Sequence, residues 1–189
     1  MRTVYSLLLW LVSTQLALSA EQYTLDAPHS KLTFQVRQLG IAVTGRFSDF
    51  SGTVKFDRER PERSSVEATI QLESIDSGIA ARDHHLLAPD FFNAAKFPTM
   101  NFKSTLVQPS GEHTVEVHGN LTMHGVTLPV LLHVEQPSAD TKNPAGLLYW
   151  NVTADLKRSG FGLTWSPLID HTISDEVEIR MKIATTPAK

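Results

Sequence analysis

The chain contains no cysteine. That excludes disulfides, thiolate catalysis, zinc–sulfur sites and lipid attachment at an N-terminal cysteine. Neither sign of charge dominates, since 17 basic residues face 20 acidic ones and leave a formal net charge of −3. A mildly acidic chain lacks the basic field that holds nucleic acid or an anionic membrane surface. There is no G-x-S-x-G motif and no glycine-rich phosphate loop, so neither a nucleophile elbow nor a nucleotide cradle is expected. Internal repeats are absent, and beyond residue 20 little of the sequence has a helical period.

A long apolar run occurs only at the start, in MRTVYSLLLWLVSTQLALSA. Arg2 supplies a positive n-region, Val4 to Leu18 is mostly apolar, and small residues follow. That is the pattern of a secretory signal peptide, too short and too polar at Thr14 and Gln15 to span a bilayer well. Cleavage is expected after Ala20, or after Ser19 with Ala17 three places before the cut. The remaining domain, residues 21–189, would be one unit more negative without Arg2, and periplasmic or secreted. Lacking disulfides, it depends on its core for stability.

Alternation fills the rest. In HTVEVHGNLTM (113–123), Val115, Val117, Leu121 and Met123 share one face, with Thr114, Glu116, His118, Asn120 and Thr122 on the other. Residues 126–135 repeat the pattern through Val126, Leu128, Val130, Leu132 and Val134, and His124-Gly125 between them reads as a tight hairpin turn. Further rows are Leu32, Phe34 and Val36; Val54 and Phe56; Val66, Ala68, Ile70 and Leu72; and Met100, Phe102 and Leu106. Two more run from Leu148 through Trp150, Val152 and Ala154 to Leu156, and from Val177 through Ile179 and Met181 to Ile183. With a short lead-in strand near Tyr23 to Leu25, these predict an all-β antiparallel sheet of eight or nine strands, closed on itself to remove its edges. Pro129 predicts a bulge in its strand, and Gly119 a bend at a barrel corner. Small residues on the inner phase, Gly52, Ala68, Ser104, Gly119 and Ala154, leave room inside.

Alternation fails between residues 75 and 98, where Ala80 to Leu87 predicts a short helix and Pro89 to Asn93 a further turn. Residues 137–146 read as a polar loop. His84 and His85 are neighbours, and on a helix they diverge by about 100°. They cannot chelate one ion together, so no metal site is expected. Arg82 and Asp83 are suited to satisfying buried loop carbonyls and amides, while Phe91, Phe92 and Phe97 plug a barrel end or flank its mouth. His113, His118, His124 and His133 read as solvated surface or turn residues. Two polar residues continue apolar rows: Gln38 after Val36, and Arg158 after Leu156. Each can close the cavity end with a polar group. Arg158 either stacks on Phe161 or Trp165 as a floor or contacts a ligand.

Four blocks carry a family likeness: FQVRQLGIAVTGRFSDFSGTVKFD (34–57), IDSGIAARDHHLLAPDFFNAAKFPTMNFKST (75–105), GNLTMHGVTLPVLL (119–132) and RSGFGL (158–163). The chain resembles the YceI-like family of exported bacterial lipid-binding proteins. The resemblance implies a lipocalin-like, eight-stranded antiparallel barrel with a short helical excursion around residues 79–95. Its cavity would hold an amphipathic isoprenoid lipid, of quinone or prenyl phosphate type, in a periplasmic carrier or sequestering protein linked to stress. His85 matches the family's histidine and reads as a hydrogen-bonded corner. Whether Arg82 or His85 also touches a lipid head group stays open. The chain departs from the family pattern at Gln38, where histidine is usual, and at Gly160, where an acid is usual. On this reading the ligand-binding residues are Phe34, Val36, Gln38, Phe47, Phe56, Ile70, Leu72, Phe91, Phe92, Phe102, Leu132, Trp150, Arg158 and Phe161. No catalytic residue and no cofactor beyond the bound lipid are expected, nor stable membrane insertion, while a homodimer is left open. The competing readings are a lipocalin-type enzyme acting on a bound lipid through Arg158, His85 and Asp83, and a filled barrel serving as an interaction module.

Overall fold

A computed structural model of the protein describes residues 20–137, 146–165 and 169–188. The expected leader, Ala20 apart, and residues 138–145 of the expected polar loop lie outside the described residues. The elements are β1 (Glu21–Gln38), β2 (Ile41–Phe47), β3 (Phe50–Phe56), β4 (Ser65–Gln71), β5 (Ile75–Asp76), α1 (Ala80–Leu87), β6 (Thr99–Pro109), β7 (Thr114–Met123), β8 (Val126–Glu135), β9 (Leu148–Lys157) and β10 (Glu176–Pro187).

All pairings are antiparallel, and β10 pairs with both β9 and β1, which closes the sheet. Ten segments make eight staves. β2 pairs with Leu32–Gln38 of β1 and β3 with Glu21–Thr24, so β2 and β3 form one stave kinked at Ser48-Asp49. β5 continues β4 past a 3-10 turn at Leu72–Ser74 and pairs with the end of β2. The result is a closed eight-stranded antiparallel barrel. The lead-in strand near Tyr23 is the first part of β1, whose register against β10 shifts between Asp26 and Lys31. Ser30 bridges that irregularity, donating to the Asp26 carbonyl and accepting from the Ala184 amide.

The hairpin turn between β7 and β8 lies where expected, with His124 and Gly125 both left-handed at φ 54° and 76°, the geometry that matches strand twist. Pro129 makes no bulge, because the β7–β8 register runs unbroken through Asn120↔Pro129. Its missing donor is tolerated because β8 pairs with β9 only over His133–Glu135, which leaves the edge beside Pro129 free. The bulge falls instead in β6, between Ser104 and Leu106, and inverts the side-chain phase. Met100 and Phe102 point inward, but Leu106 is 44% exposed and Val107 takes its place in the core. The expected row Met100, Phe102, Leu106 is therefore broken by one inserted residue.

Gly119 faces this bulge for a steric reason. A Cβ there would lie 2.4 Å from the Phe102 ring and 2.7 Å from the Lys103 carbonyl oxygen. Gly119→Ala is expected to destabilise the barrel by about 1–3 kcal/mol through overpacking. Urea denaturation measures this, and an unchanged midpoint would show that the ring swings aside freely. Helix α1 stops at Leu87 because Ala88, which precedes Pro89, is forced to extended backbone.

Candidate functional site

The inner faces of the staves do not meet. They enclose a cavity of about 310 Å³, lined almost wholly by apolar side chains. The 12 residues of β10 span roughly 40 Å at the strand rise, so a barrel with ordinary tilt is roughly 30 Å tall. The cavity reaches Pro61, Ser64 and Ser65 at one end and Gln38, Ser77, Arg82 and Ile173 at the other. Gln38, itself lining the cavity, is solvent-exposed, and Val43 and Trp165 beside it are half-buried, which marks this end as the mouth.

Twelve of the fourteen residues expected at the ligand line this cavity. The wall holds Phe34, Val36, Phe47, Phe56, Ile70 and Phe102, joined by Leu132 and Trp150. Gln38, Phe91, Phe92 and Arg158 stand toward the mouth. Leu72 and Phe161 do not reach the cavity; both are almost completely buried in 3-10 turns beyond the strand ends, where they pack behind the wall. Residues that line it but were not singled out include Val43, Val107, Leu163 and Ile173. The bulge conceals Val107. Leu163 and Ile173 come from irregular chain, which carries no period to read.

Two large polar side chains at the wall, Trp150 and Arg158, are committed elsewhere. Trp150 Nε1 donates to the buried Thr185 hydroxyl at 3.0 Å, and its ring meets Phe56 edge-on at 4.9 Å, so the indole presents only carbon to the interior. Arg158 is 5% exposed and spends all five donors on the chain between Leu163 and Ser174. Nε reaches the Ser174 carbonyl at 3.0 Å. Nη1 reaches Leu163 O at 2.8 Å and Asp170 Oδ1 at 2.7 Å; Nη2 reaches Ile173 O at 3.1 Å and Asp170 O at 3.4 Å. Its guanidinium is a staple for this loop, and only its stem is left for a ligand. The hydrogen bond from Arg158, and then the Trp165 amide, hold the Asp170 carboxyl below the ordinary carboxylate pKa. At Gly160 an added Cβ would meet Leu128 at 3.0 Å, and Asp175 accepts from the Ser159 amide and hydroxyl.

The Arg82–His85 stretch is a corner. Asp83 accepts from both the amide and the hydroxyl of buried Ser77. Arg82 donates from Nε to Ser77 Oγ at 2.7 Å and from Nη2 to the Ser77 carbonyl at 2.5 Å. His85 turns outward, 3.1 Å from Asp90, with its ring edge-on to Trp165 at 4.7 Å. Arg158, His85 and Asp83, the residues an enzymatic reading needs, thus face three different partners and not one point. Phe91 and Phe92 meet at 5.1 Å, and Phe91 lies 4.6 Å from Trp165, so this aromatic group walls the mouth. Phe97 does not join it; its ring packs under the β7–β8 turn against Gly125 and His124. His124 is accordingly half-buried, with Nδ1 3.1 Å from the Phe161 carbonyl, and is not a solvated surface histidine.

A closed antiparallel barrel around an elongated apolar cavity defines the lipocalin-like class. Within it the chain belongs to the YceI-like domain family, which matches residues 23–185. A UPF0312 protein of Shewanella oneidensis is 41% identical over 120 residues, 62% of this chain and 63% of that protein, so the match spans less than two thirds of its length. The crystal structure of Burkholderia cenocepacia BcnA superposes with a TM-score of 0.78 at 28% identity, covering 86% of this chain and 99% of that one. The YCEI protein of Campylobacter jejuni gives 0.66 at 26% identity, over 77% and 84%. A polyisoprenoid binding domain from Saccharophagus degradans gives 0.64 over 88% and 98%, at 21% identity, a likeness of fold alone.

Proposed function

We propose that the protein is a carrier or sequestering protein that holds the tail of an amphipathic isoprenoid lipid in its barrel. The observation that carries this reading is the apolar cavity, where the polar groups of Trp150, Arg158, Ser77 and Arg82 are already hydrogen-bonded to the chain. Such a lining offers a tail burial but gives a head group little to grip. Each buried CH₂ contributes roughly 0.8 kcal/mol, so one five-carbon isoprene unit contributes about 4 kcal/mol before ordering costs. A few units suffice for tight binding without polar contacts. The family resemblance and the S. degradans domain's described ligand both support the isoprenoid class, with a quinone or a prenyl phosphate as the candidate ligands. In this reading the protein acts outside the cytoplasm after losing residues 1–20, and serves a stress response. Among the described residues no helix is long and apolar enough to cross a membrane.

Mass spectrometry of lipid extracted from the purified protein tests this. The expected result is a stoichiometric amphiphile with a long isoprenoid tail, on a chain beginning at Ala20 or Glu21. Protein from a lipid-replete host that carries none, and takes up no added quinone or prenol, would rule the carrier out. An intact Met1 on protein in the cytoplasm would rule out export.

A further inference from the structure

Among the described residues, five large apolar side chains are exposed: Leu39 at 75%, Ile41 at 71%, Ile79 at 54%, Leu106 at 44% and Ile169 at 42%. All but Leu106 stand at the mouth. Leu39 and Ile41 form the tip of the β1–β2 hairpin. The Leu39 amide donates to the Thr172 carbonyl at 2.8 Å, which stitches that tip to the loop bearing Ile169. The pairing of Arg46 with Asp76 directs the following residues along β2 toward the same tip, and this segment carries Ile79. Neither QLGIAVTG (38–45) nor SGIAA (77–81) contains an ionisable side chain. Of the flanking charges, Asp76 is paired with Arg46 and Asp170 with Arg158, while Arg37, opposite Ala42, and His171 are exposed.

The backbone supplies a second, independent observation. Leu39 is left-handed at φ 50°, followed by Gly40 at φ 80°. Such a turn favours Asn-Gly or Gly-Gly, and a bulky apolar residue at its first position is unfavourable. Leucine therefore weakens its own turn while its side chain gains nothing from the core. Strain of this kind at an exposed tip points to a role outside the fold.

We propose that this apolar lip is the surface by which the protein rests on a lipid bilayer, with the cavity mouth against the head groups so that a tail can pass between membrane and barrel. The inference builds on the container reading. A bilayer is favoured over a second copy of the chain because the lip frames the cavity's opening, and two lips pressed together would seal it. Zwitterionic head groups are the fitting surface, since the exposed tip residues Leu39, Ile41, Ile79 and Ile169 are uncharged, Arg37 is the lone arginine on the β1–β2 tip, and the chain's net charge of −3 offers anionic lipid little attraction.

The test is co-sedimentation with neutral phosphatidylcholine vesicles, using protein of sequenced N-terminus and variants in the same form. Wild type should bind with little dependence on salt. Leu39→Asn should weaken binding roughly tenfold, the worth of one large apolar side chain, and Leu39→Asn with Ile79→Ser further still. Because asparagine suits the turn, the unfolding midpoint of Leu39→Asn should hold or rise, so the loss cannot be assigned to misfolding. Ala154→Phe, which fills the cavity, should still bind vesicles while losing cargo, which separates this surface from the cavity. Absence of vesicle binding, binding only to anionic vesicles at low salt, or unchanged binding by Leu39→Asn would each overturn the proposal. So would self-association that Leu39→Asn abolishes without any vesicle binding.

Discussion

Arg158→Met should lower the stability of the barrel by about 3–5 kcal/mol while leaving tail binding measurable below the shifted melting point. Methionine replaces the buried stem but none of the five donors. The carbonyls of Leu163, Ile173 and Ser174 then lose a charged partner, and each buried group left unpaired costs about 1–3 kcal/mol. Asp170 is 35% exposed and recovers some hydration, which keeps the total below a simple sum. For a chain of this size the expected fall in melting temperature is roughly 6–20 °C. Arg158→Lys should recover only part of this, since an ammonium has three donors and no planar fork.

The pH dependence follows from the same contact. The folded state holds Asp170 below its ordinary pKa, so it stays deprotonated to lower pH than in the unfolded chain. Its contribution is complete above the unfolded value of about 3.9 and is lost as pH falls through the lower folded value. In Arg158→Met that acid-sensitive part should shrink, which denaturation curves at neutral pH and near pH 3 would reveal. Equal losses at both would show that the carboxylate contributes nothing through Arg158.

The barrel was legible because one physical pattern repeats in it. Each stave buries one face, so apolar residues fall at every second position, as in Val115 to Met123 and Val177 to Ile183. Where regular backbone ends, so does the information. Leu72 extends the row Val66, Ala68, Ile70, yet the strand stops at Gln71 and a 3-10 turn carries the side chain behind the wall. Phe161 errs in the same way, past the end of β9. The Thr105 insertion needs its partner strand to be recognised, because only the pairing with Gly119 and His118 exposes the shift. Arg158 could be placed at a barrel end from its phase, but not its five partners, since they are carbonyls and one carboxylate of irregular chain. The kink at Ser48-Asp49 divided one stave into two segments and moved the inward phase from Val43 and Phe47 to Phe50, Val54 and Phe56.

Leu132→Asp should abolish tail binding. Leu132 lines the cavity on β8, just beyond the last residue paired with β9, where the wall has no neighbouring polar group to share a charge. An unpaired carboxylate facing hydrocarbon costs several kcal/mol, comparable with the gain from a whole isoprene unit. Desolvation by bound tail raises that carboxyl's pKa, so binding should return in part on acidification as the group becomes neutral. Leu132→Asn, of similar shape and without a titrating group, should weaken binding less and show no recovery with acid. Ala154→Phe tests volume alone: Ala154 is buried on β9, one residue past Thr153, the partner of His133, and a ring there should exclude tail at an overpacking cost of about 1–3 kcal/mol. Fluorescence titration with a prenol, alongside thermal melts, reads both effects. If Leu132→Asp and Ala154→Phe fold and still take up tail as wild type does, the lipid does not occupy the barrel, and the cavity is packing space in a protein that works through its surface.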